Sequence, residues 1–225
     1  MKNNHFKMLC LGAIITFSVN VNAQFIGGAS FNVPLIPTDK NAGVYLGGTL
    51  DLGFYVYKKS YLLFNVGYCY GLTDNKVGTF SYSSRDKYGN ILGTFDNGEI
   101  NRNYWSIPVF VNWNWKIPLS DNFSCHIGPS VGETTIKAYN KYYVGRKEWE
   151  PDTEFGEKYK PTNNKYKALF SIGANVGVLF RYKEGNIGIG YKCLWNGKQS
   201  FDDQTFKGIM HQFTLSFIFD GDDDY

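Results

Sequence analysis

Residues 104–117, with the sequence YWSIPVFVNWNWKI, change character at every second position. One set is apolar and has tryptophan near both of its ends: Trp105, Ile107, Val109, Val111, Trp113, Trp115 and Ile117. The alternate set ends in polar residues: Tyr104, Ser106, Pro108, Phe110, Asn112, Asn114 and Lys116. A period of two places successive side chains on opposite faces of a β-strand. The segment is therefore predicted to be a strand whose apolar face meets lipid and whose tryptophans lie at two membrane interfaces.

The same alternation recurs along the chain and defines eight predicted strands. They cover residues 25–33, 44–57, 61–72, 103–117, 123–138, 167–182, 186–195 and 208–219. Long connections (34–43, 73–102, 139–166 and 196–207) alternate with short ones (58–60, 118–122 and 183–185). This order predicts an all-β fold, an eight-stranded antiparallel up-and-down transmembrane β-barrel. Its short turns would lie in the periplasm and its long loops outside the cell, in the outer membrane.

A soluble barrel with its apolar face turned inward would show the same alternation. Its outer face would carry about 25–35% charged residues. Here the non-apolar face consists mainly of Gly, Ser, Thr, Asn and Tyr, and its mid-strand charges are Asp51, Lys116, Arg181 and Lys192. Aromatic residues make up 18% of the chain, a composition that suits strands better than helices. The distribution of charge therefore favours the membrane barrel.

Both ends of the chain are predicted to lie outside the barrel. Residues 1–23 have lysines at positions 2 and 7, an apolar core and a Val-Asn-Ala ending, which is typical of a secretory signal peptide. The alternative is an uncleaved N-terminal anchor. The barrel then covers residues 24–219, and residues 220–225 form an acidic periplasmic tail. Because the net charge of +3 includes the two lysines of the signal peptide, the remainder is nearly neutral, which argues against nucleic-acid binding.

An eight-stranded barrel is just wide enough to be filled by its own side chains, so we expect no wide aqueous channel. Inward-facing polar residues would form the filling, with Asp51 paired to Arg181 or Lys192 because an unpaired buried charge is costly. The predicted polar core comprises Asp51, Asn65, Asn112, Asn114, Lys116, Asn175, Arg181, Lys192 and Gln212, together with Tyr45 and Tyr55. The predicted interface aromatics are Trp105, Trp113, Trp115, Trp195 and Phe219.

Two long loops are candidates for binding. Residues 73–102 contain a hairpin pattern, in which 77–82 and 91–95 flank a Tyr-Gly-Asn turn, and should project as a ribbon above the membrane. Residues 139–166 interleave charges with aromatic residues, a composition that suits recognition. The candidate contacts with an extracellular ligand are Tyr142, Tyr143, Trp149 and Tyr159. The alternative is a solvated loop whose aromatic residues pack on the neighbouring hairpin.

The chain resembles the small outer-membrane β-barrel family of the OmpX, OmpA-barrel and opacity-protein type, and looks most like the versions common in Bacteroidetes. The signal peptide, the Gly-rich alternating strands, the YWSIPV strand at 104–109 and the closing HQFTLSFIF at 211–219 carry the resemblance. In that family the last strand, ending in an aromatic residue, is recognised by the barrel-insertion machinery, and Phe219 matches that residue. The acidic tail departs from the family pattern. The resemblance implies a shared fold and no shared chemistry.

The residues that could carry catalysis are sparse. His126 has Ser124 on its own face of a predicted strand, whereas Glu133 has the opposite parity, so a polar interior histidine is the better interpretation. Cys69, Cys125 and Cys193 lie in separate strands and are expected to be free thiols, and we expect no metal or cofactor. The hypothesis is a non-enzymatic surface barrel, surrounded by lipid and lipopolysaccharide, whose extracellular loops bind a partner or form part of the cell envelope. A narrow channel for small solutes and a lipid-modifying enzyme are the alternatives.

Overall fold

The computed structural model describes residues 25–40, 42–57, 59–72, 75–85, 88, 90–144, 147–148, 165–183, 185–201 and 203–220. The predicted signal peptide, and the predicted tail beyond Asp220, lie outside these residues. The described strands are β1 (Phe25–Ile36), β2 (Gly43–Tyr57), β3 (Ser60–Gly71), β4 (Asn75–Arg85), β5 (Ile91–Pro118), β6 (Phe123–Val144), β7 (Lys147–Glu148), β8 (Lys165–Tyr182), β9 (Gly185–Ser200) and β10 (Thr205–Asp220). Among the described residues, no helix is long and apolar enough to cross a membrane.

Eight of these strands form one closed antiparallel ring. Their order is β5-β3-β2-β1-β10-β9-β8-β6, and the pairing of β6 with β5 closes it. β4 extends the sheet only along β5, and β7 only along the end of β6. The predicted eight-stranded barrel is therefore confirmed, with β4 and β7 as additions above it.

The strands of the ring are strongly staggered. From Ser106 in β5, the register partners run through Cys69, Gly47, Asn32, Thr214, Gly190, Gly177 and His126 and return to β5 at Lys116. One circuit thus ends ten residues further along the starting strand, at Lys116. Strand number and stagger together set the diameter, and eight strands leave an interior that side chains can fill.

The predicted strand positions are correct, but the strands are longer than predicted. Residues 34–36, 139–144, 196–200 and 205–207 were predicted as loop and belong to strands. Two of these segments were hidden by polar composition, as at residues 196–200 (NGKQS), whereas residues 34–36 are Pro-Leu-Ile. Backbone pairing continues there regardless of side chain, as in Arg102 opposite Asn140.

The two faces of the strands have the predicted orientation. Leu50, Phe170 and Ile189 are 68%, 53% and 72% exposed on the outer surface. The intervening residues, such as Thr49, Ser171 and Gly188, are buried inside. A continuous apolar outer surface around a closed ring is what a lipid bilayer requires of a spanning sheet.

A ribbon rises above the barrel. We use this name for β4 and residues 91–102 of β5, which pair along nearly their whole length. β6 flanks the other edge of β5 as far as Val144, which lies opposite Gly98. The predicted hairpin at 77–82 and 91–95 is confirmed and extended, and it has strand neighbours on both sides of β5.

The arrangement predicts which ends of the strands can be reached from outside the cell. An epitope tag inserted between Tyr88 and Asn90, at the tip of the ribbon, should be stained by antibody on intact cells. The same tag placed after Lys183, in the short β8–β9 turn, should be stained only after the outer membrane is permeabilised. Staining of both tags, or of the Lys183 tag alone, on intact cells would contradict this orientation.

Candidate functional site

The interior of the barrel is layered, with an apolar layer at the end of the short turns. Six buried side chains contributed by β1, β2, β3, β8 and β10 form it: Ile26, Tyr55, Tyr61, Leu63, Leu179 and Ile218. A uniformly polar interior, with Tyr55 as one of its members, was expected and is wrong at this level. A period of two separates inward from outward side chains but does not show how far along the barrel axis each one lies. The sequence therefore does not distinguish the level of Leu63 from that of the inward polar residues.

The middle layer is a continuous hydrogen-bond network. Gln212 donates to Asn32 (2.7 Å), Asn32 donates to Thr49 (3.0 Å), and Thr49 donates to Asp51 (3.0 Å). Beyond Asp51 the network continues onto the next strands of the ring. Asn65 donates to Asp51, Asn112 to Asn65 and Ser130 to Asn112. The network therefore links β10, β1, β2, β3, β5 and β6 through side chains alone.

Asp51 is the anionic centre of this network. Its side chain is 1% exposed, and its carboxylate accepts hydrogen bonds from Ser30, Thr49 and Asn65. The expected direct ion pair with Lys192 or Arg181 is not among the ion pairs of the described residues, which are Lys76–Glu99 and Arg102–Asp203. Lys192 instead donates to Asn65 (2.7 Å), so one amide bridges the two charges.

The remaining predicted core residues occupy three different places. Asn112, Asn114, Asn175 and Gln212 are buried in the middle layer, where Asn175 donates to the carbonyl of Gly128 (3.0 Å). Tyr45 is buried in the layer above. Lys116 and Arg181 lie at the mouth on the side of the short turns, where they line a cleft of about 780 Å³ with Lys59. Their parity is inward, as predicted, but they stand at strand ends beyond the layer that closes the lumen.

The middle layer encloses a small cavity of about 40 Å³. His126 Nδ1 and Asn114 Oδ1 are buried atoms of lining residues, and neither has a hydrogen-bond partner among the described residues. A water occupies about 30 Å³ of liquid, so the space suits one or two waters that would satisfy these atoms. His126 therefore lines a polar cavity inside the barrel.

The upper layer closes the lumen at the end from which the ribbon rises. The rings of Tyr104, Phe201 and Phe206 meet edge to face, with centroids 5.2–5.5 Å apart. Ile36, Tyr45, Leu194 and Met210 pack in the same buried cluster. Phe201 comes from the four-residue connection between β9 and β10, which folds over the barrel mouth.

An ion pair fastens this connection. Asp203 accepts hydrogen bonds from Arg102 Nη1 (2.9 Å) and from the Tyr104 hydroxyl (2.6 Å), and Arg102 Nε donates to Asn140 (3.0 Å). The Arg102 and Asp203 side chains are 13% and 11% exposed, so the pair is shielded from most solvent. These residues were missed in the sequence, because no local signal shows that a short polar connection turns inward.

The connection between β1 and β2 joins the same closure. The Thr205 amide donates to the Asp39 carboxylate (2.9 Å), and the Asp39 amide donates to the Thr205 carbonyl (2.9 Å). The hydrogen bond from the Thr205 amide is the main reason that the pKa of Asp39 is lowered below its ordinary value of 3.8. Two extracellular connections thus hold each other across the mouth.

The predicted interface aromatics lie on the outer surface. Trp113 and Trp115 stack on each other with ring centroids 5.4 Å apart, and the Trp113 indole donates to Ser60 (2.5 Å). Trp195 and Phe219 are 57% and 64% exposed. Trp105 is half-buried between Tyr68 (5.3 Å) and Tyr166 (6.0 Å), near the middle of β5 and ten residues before Trp115.

The four predicted ligand contacts in the loops differ in their surroundings. Tyr142 is buried and meets Phe80 of the ribbon edge to face at 5.5 Å, so it packs the ribbon and is not open to a ligand. Tyr143 is half-buried in β6, opposite Glu99. Trp149 and Tyr159 lie outside the described residues. The packing of Tyr142 follows the alternative interpretation, in which loop aromatics pack on the hairpin.

The thiols are placed as expected. Cys69 is buried inside, Cys125 and Cys193 are half-buried, and all three are free. Over the part of the chain that the structure describes, no three His, Cys, Asp or Glu side chains gather closely enough to hold a metal ion.

Comparisons with known proteins show that this chain is similar to solved structures, whereas its sequence has no match. No family model and no curated protein matches the sequence. Neisserial surface protein A has a TM-score of 0.50 and 8% identity, over 88% of this chain and 99% of that chain. Ail of Yersinia pestis has a TM-score of 0.42 and 10% identity, over 88% and 97%. A major outer membrane protein from Thermus thermophilus has a TM-score of 0.40 and 13% identity, over 89% and 100%. At such identities the likeness concerns the fold and not the activity.

The hydrogen bonds to Asp51 should be needed for stability. Asp51→Ala leaves three buried donors without their acceptor and should lower the free energy of unfolding by about 3 kcal/mol. Urea unfolding of the protein refolded in lipid vesicles measures this change. Asp121→Ala, in the exposed turn before β6, is the matched control and should stay within about 0.5 kcal/mol of the parent. Equal losses in the two variants would rule out a special role for the network.

The contact between Asp39 and Thr205 should depend on pH in a defined direction. Because the folded-state pKa of Asp39 is lowered, the contact is fully formed above pH 3.8 and is lost as pH falls through the lowered value. The amide ¹⁵N and ¹H shifts of Thr205 should therefore titrate with a midpoint below 3.8. In Asp39→Asn this titration should be absent, and a midpoint above 3.8 in the parent protein would contradict the geometry.

Proposed function

We propose that this chain, which has the fold of the small outer-membrane β-barrels, is a non-conducting and non-enzymatic surface protein that presents its ribbon for binding outside the cell. The barrel lies in the outer membrane, where its apolar outer surface meets lipid. Its interior serves as a rigid support, and recognition belongs to the extracellular side.

The filled lumen is the observation that carries this proposal. The central cavity measures about 40 Å³, and no residue that lines it also lines the periplasmic cleft or the pocket of about 110 Å³ at the extracellular mouth. Apolar layers separate these spaces at both ends of the polar layer. A solute path through the barrel would have to break the Asp51 network and displace both apolar layers, which argues against the narrow-channel alternative.

The arrangement of titratable groups argues against the lipid-modifying alternative. His126 and Ser124 face the interior, whereas lipid meets the outer surface, where Glu133 lies. A general base must reach the proton that it abstracts within hydrogen-bond distance of the substrate. A substrate lipid cannot meet this requirement at His126 while the barrel wall stands between them.

The ribbon is suited to presenting a binding surface. From Ile91 to Trp105, β5 extends beyond the tryptophan level by roughly 45 Å measured along the strand. β4 pairs on one edge of residues 91–102, β6 pairs on the other edge from Gly98 onward, and the Phe80–Tyr142 contact joins these two neighbours at the base of the ribbon. A strand paired on both sides loses little conformational entropy on binding, which favours affinity.

Trimming the ribbon tests the proposal. Phe80 and Gly98 are register partners, so residues 81–97 can be replaced by an Asn-Gly turn that joins them with the pairing below intact. The trimmed protein should keep the heat-dependent gel shift of a folded barrel. It should lose the binding that the full chain shows on an array of glycans and extracellular-matrix proteins. Lys183→Gly, in a periplasmic turn, is the control and should bind like the parent.

Two results would overturn the proposal. Retention of all array binding by the trimmed protein would place recognition elsewhere. Stepwise single-channel conductance of the purified full chain in planar bilayers would show an open path and favour transport.

A further inference from the structure

A carboxylate lies on the lipid-facing surface of the barrel. Glu133 in β6 is exposed, and its register partners are Val109 in β5 and Phe170 in β8, which also face outward. Trp105 and Trp115, ten residues apart on β5, are separated by about 25 Å along the membrane normal at a strand tilt of about 40°. Of the outward-facing side chains described between these two levels, only that of Glu133 is a carboxylate.

The stagger of the strands sets the depth of Glu133. Val109 lies about 10 Å below Trp105 at the same tilt. The ten-residue stagger raises each successive strand by about 3 Å in the direction from β5 to β6. Glu133 therefore lies about 7 Å below the Trp105 level, within the outer leaflet. An ionisable group at this depth is costly, and by default it indicates a function.

The residues directly above Glu133 form a polar line that leads to the membrane surface. Thr135, two positions further along β6, donates a hydrogen bond from its hydroxyl to Glu133 Oε1 (3.2 Å). Lys137 follows two positions later. Its ammonium lies over the rings of Trp105 (5.2 Å) and Tyr166 (5.1 Å), which hold it at the level of the outer interface. Acceptors thus lie in the acyl region and a cation lies about 10 Å above them.

We propose that Glu133, Thr135 and Lys137 bind a phosphorylated acyl-glycolipid of the outer leaflet, of the lipid A class. The phosphate lies against Lys137. The amide N–H groups and the 3-hydroxyl groups of the acyl chains, which lie deeper than the phosphate, donate to Glu133 and Thr135. The proposal depends on the position of the barrel in the outer membrane and is independent of what the ribbon binds.

The depth of the acceptors selects this lipid over a glycerophospholipid. Both classes offer a phosphate to Lys137. A glycerophospholipid joins its acyl chains through esters, which contain no hydrogen-bond donor, so it would add none to the one that Thr135 supplies to the Glu133 carboxylate. A lipid with donors beneath its phosphate satisfies both ends of the polar line, and hydrogen bonds to a charged acceptor are the stronger ones.

Lipid retention by the full-length protein tests the proposal. The protein is exchanged into detergent with equal amounts of bis-phosphorylated lipid A and phosphatidylglycerol, and the bound lipid is counted by native mass spectrometry. The parent should retain lipid A over phosphatidylglycerol by about tenfold, the size expected for hydrogen bonds to a charged group. Glu133→Leu should lose this preference, and Lys137→Met should reduce retention of both lipids.

Two controls separate the site from general effects. Lys207→Met, on the exposed extracellular end of β10 and three strands away from β6, should retain lipid A like the parent. Glu133→Leu should also unfold at a higher urea concentration than the parent in phosphatidylcholine vesicles that contain no lipid A, because a lipid-facing charge is removed. Equal retention of the two lipids by the parent, or an unchanged preference in Glu133→Leu, would overturn the proposal. Array binding by the ribbon would be unaffected by either result.

Discussion

Every backbone N–H and C=O inside a bilayer needs a partner within the protein, because hydrocarbon offers none. The closed ladder of eight strands supplies these partners, and the rest of the structure depends on it. Closure with a ten-residue stagger sets the diameter of the barrel. The diameter leaves room inside for one layer of side chains from each wall, and this forces inward-facing residues from distant parts of the chain into contact.

The inward-facing side chains are sorted into layers along the barrel axis. Apolar layers lie at both ends, and the polar side chains are gathered between them, where each can reach another strand. Asp51 illustrates the result, since neutral donors from β1, β2 and β3 surround it and Asn65 connects it to Lys192. A network of this kind satisfies a buried charge without requiring two charges in direct contact. It also links six neighbouring strands around the barrel wall, and the Lys192–Asn65 hydrogen bond crosses the lumen from β9 to β3.

On the outer surface, polar side chains form a line along β6. Elsewhere on this surface, the exposed side chains are apolar, as at Leu50, Phe170 and Ile189. On β6 the line from Glu133 to Lys137 interrupts that order, and aromatic rings hold the lysine in place. Outside the filled lumen, the two regions proposed to bind partners are the ribbon and the polar line on β6.

The sequence alone determined the strands, their direction and their faces. Lipid contact imposes a period of two on every spanning strand, so residues such as Trp105, Leu50 and Phe213 could be placed on the outside from spacing alone. The inward side of Asn65, Asn112 and Gln212 followed from the same parity, and the ribbon from its turn residues.

Only the tertiary structure decided how far along the barrel axis each side chain lies and which residues it contacts. Parity does not distinguish Asp51 at the centre from Arg181 at the mouth, since both point inward. The closure by Phe201 and Asp203 joins connections that are far apart in sequence, where composition carries no signal. Glu133 has outward parity in the sequence, but its depth in the membrane follows from the ten-residue stagger. A local pattern reports which way a side chain points, whereas the closed register decides what it meets.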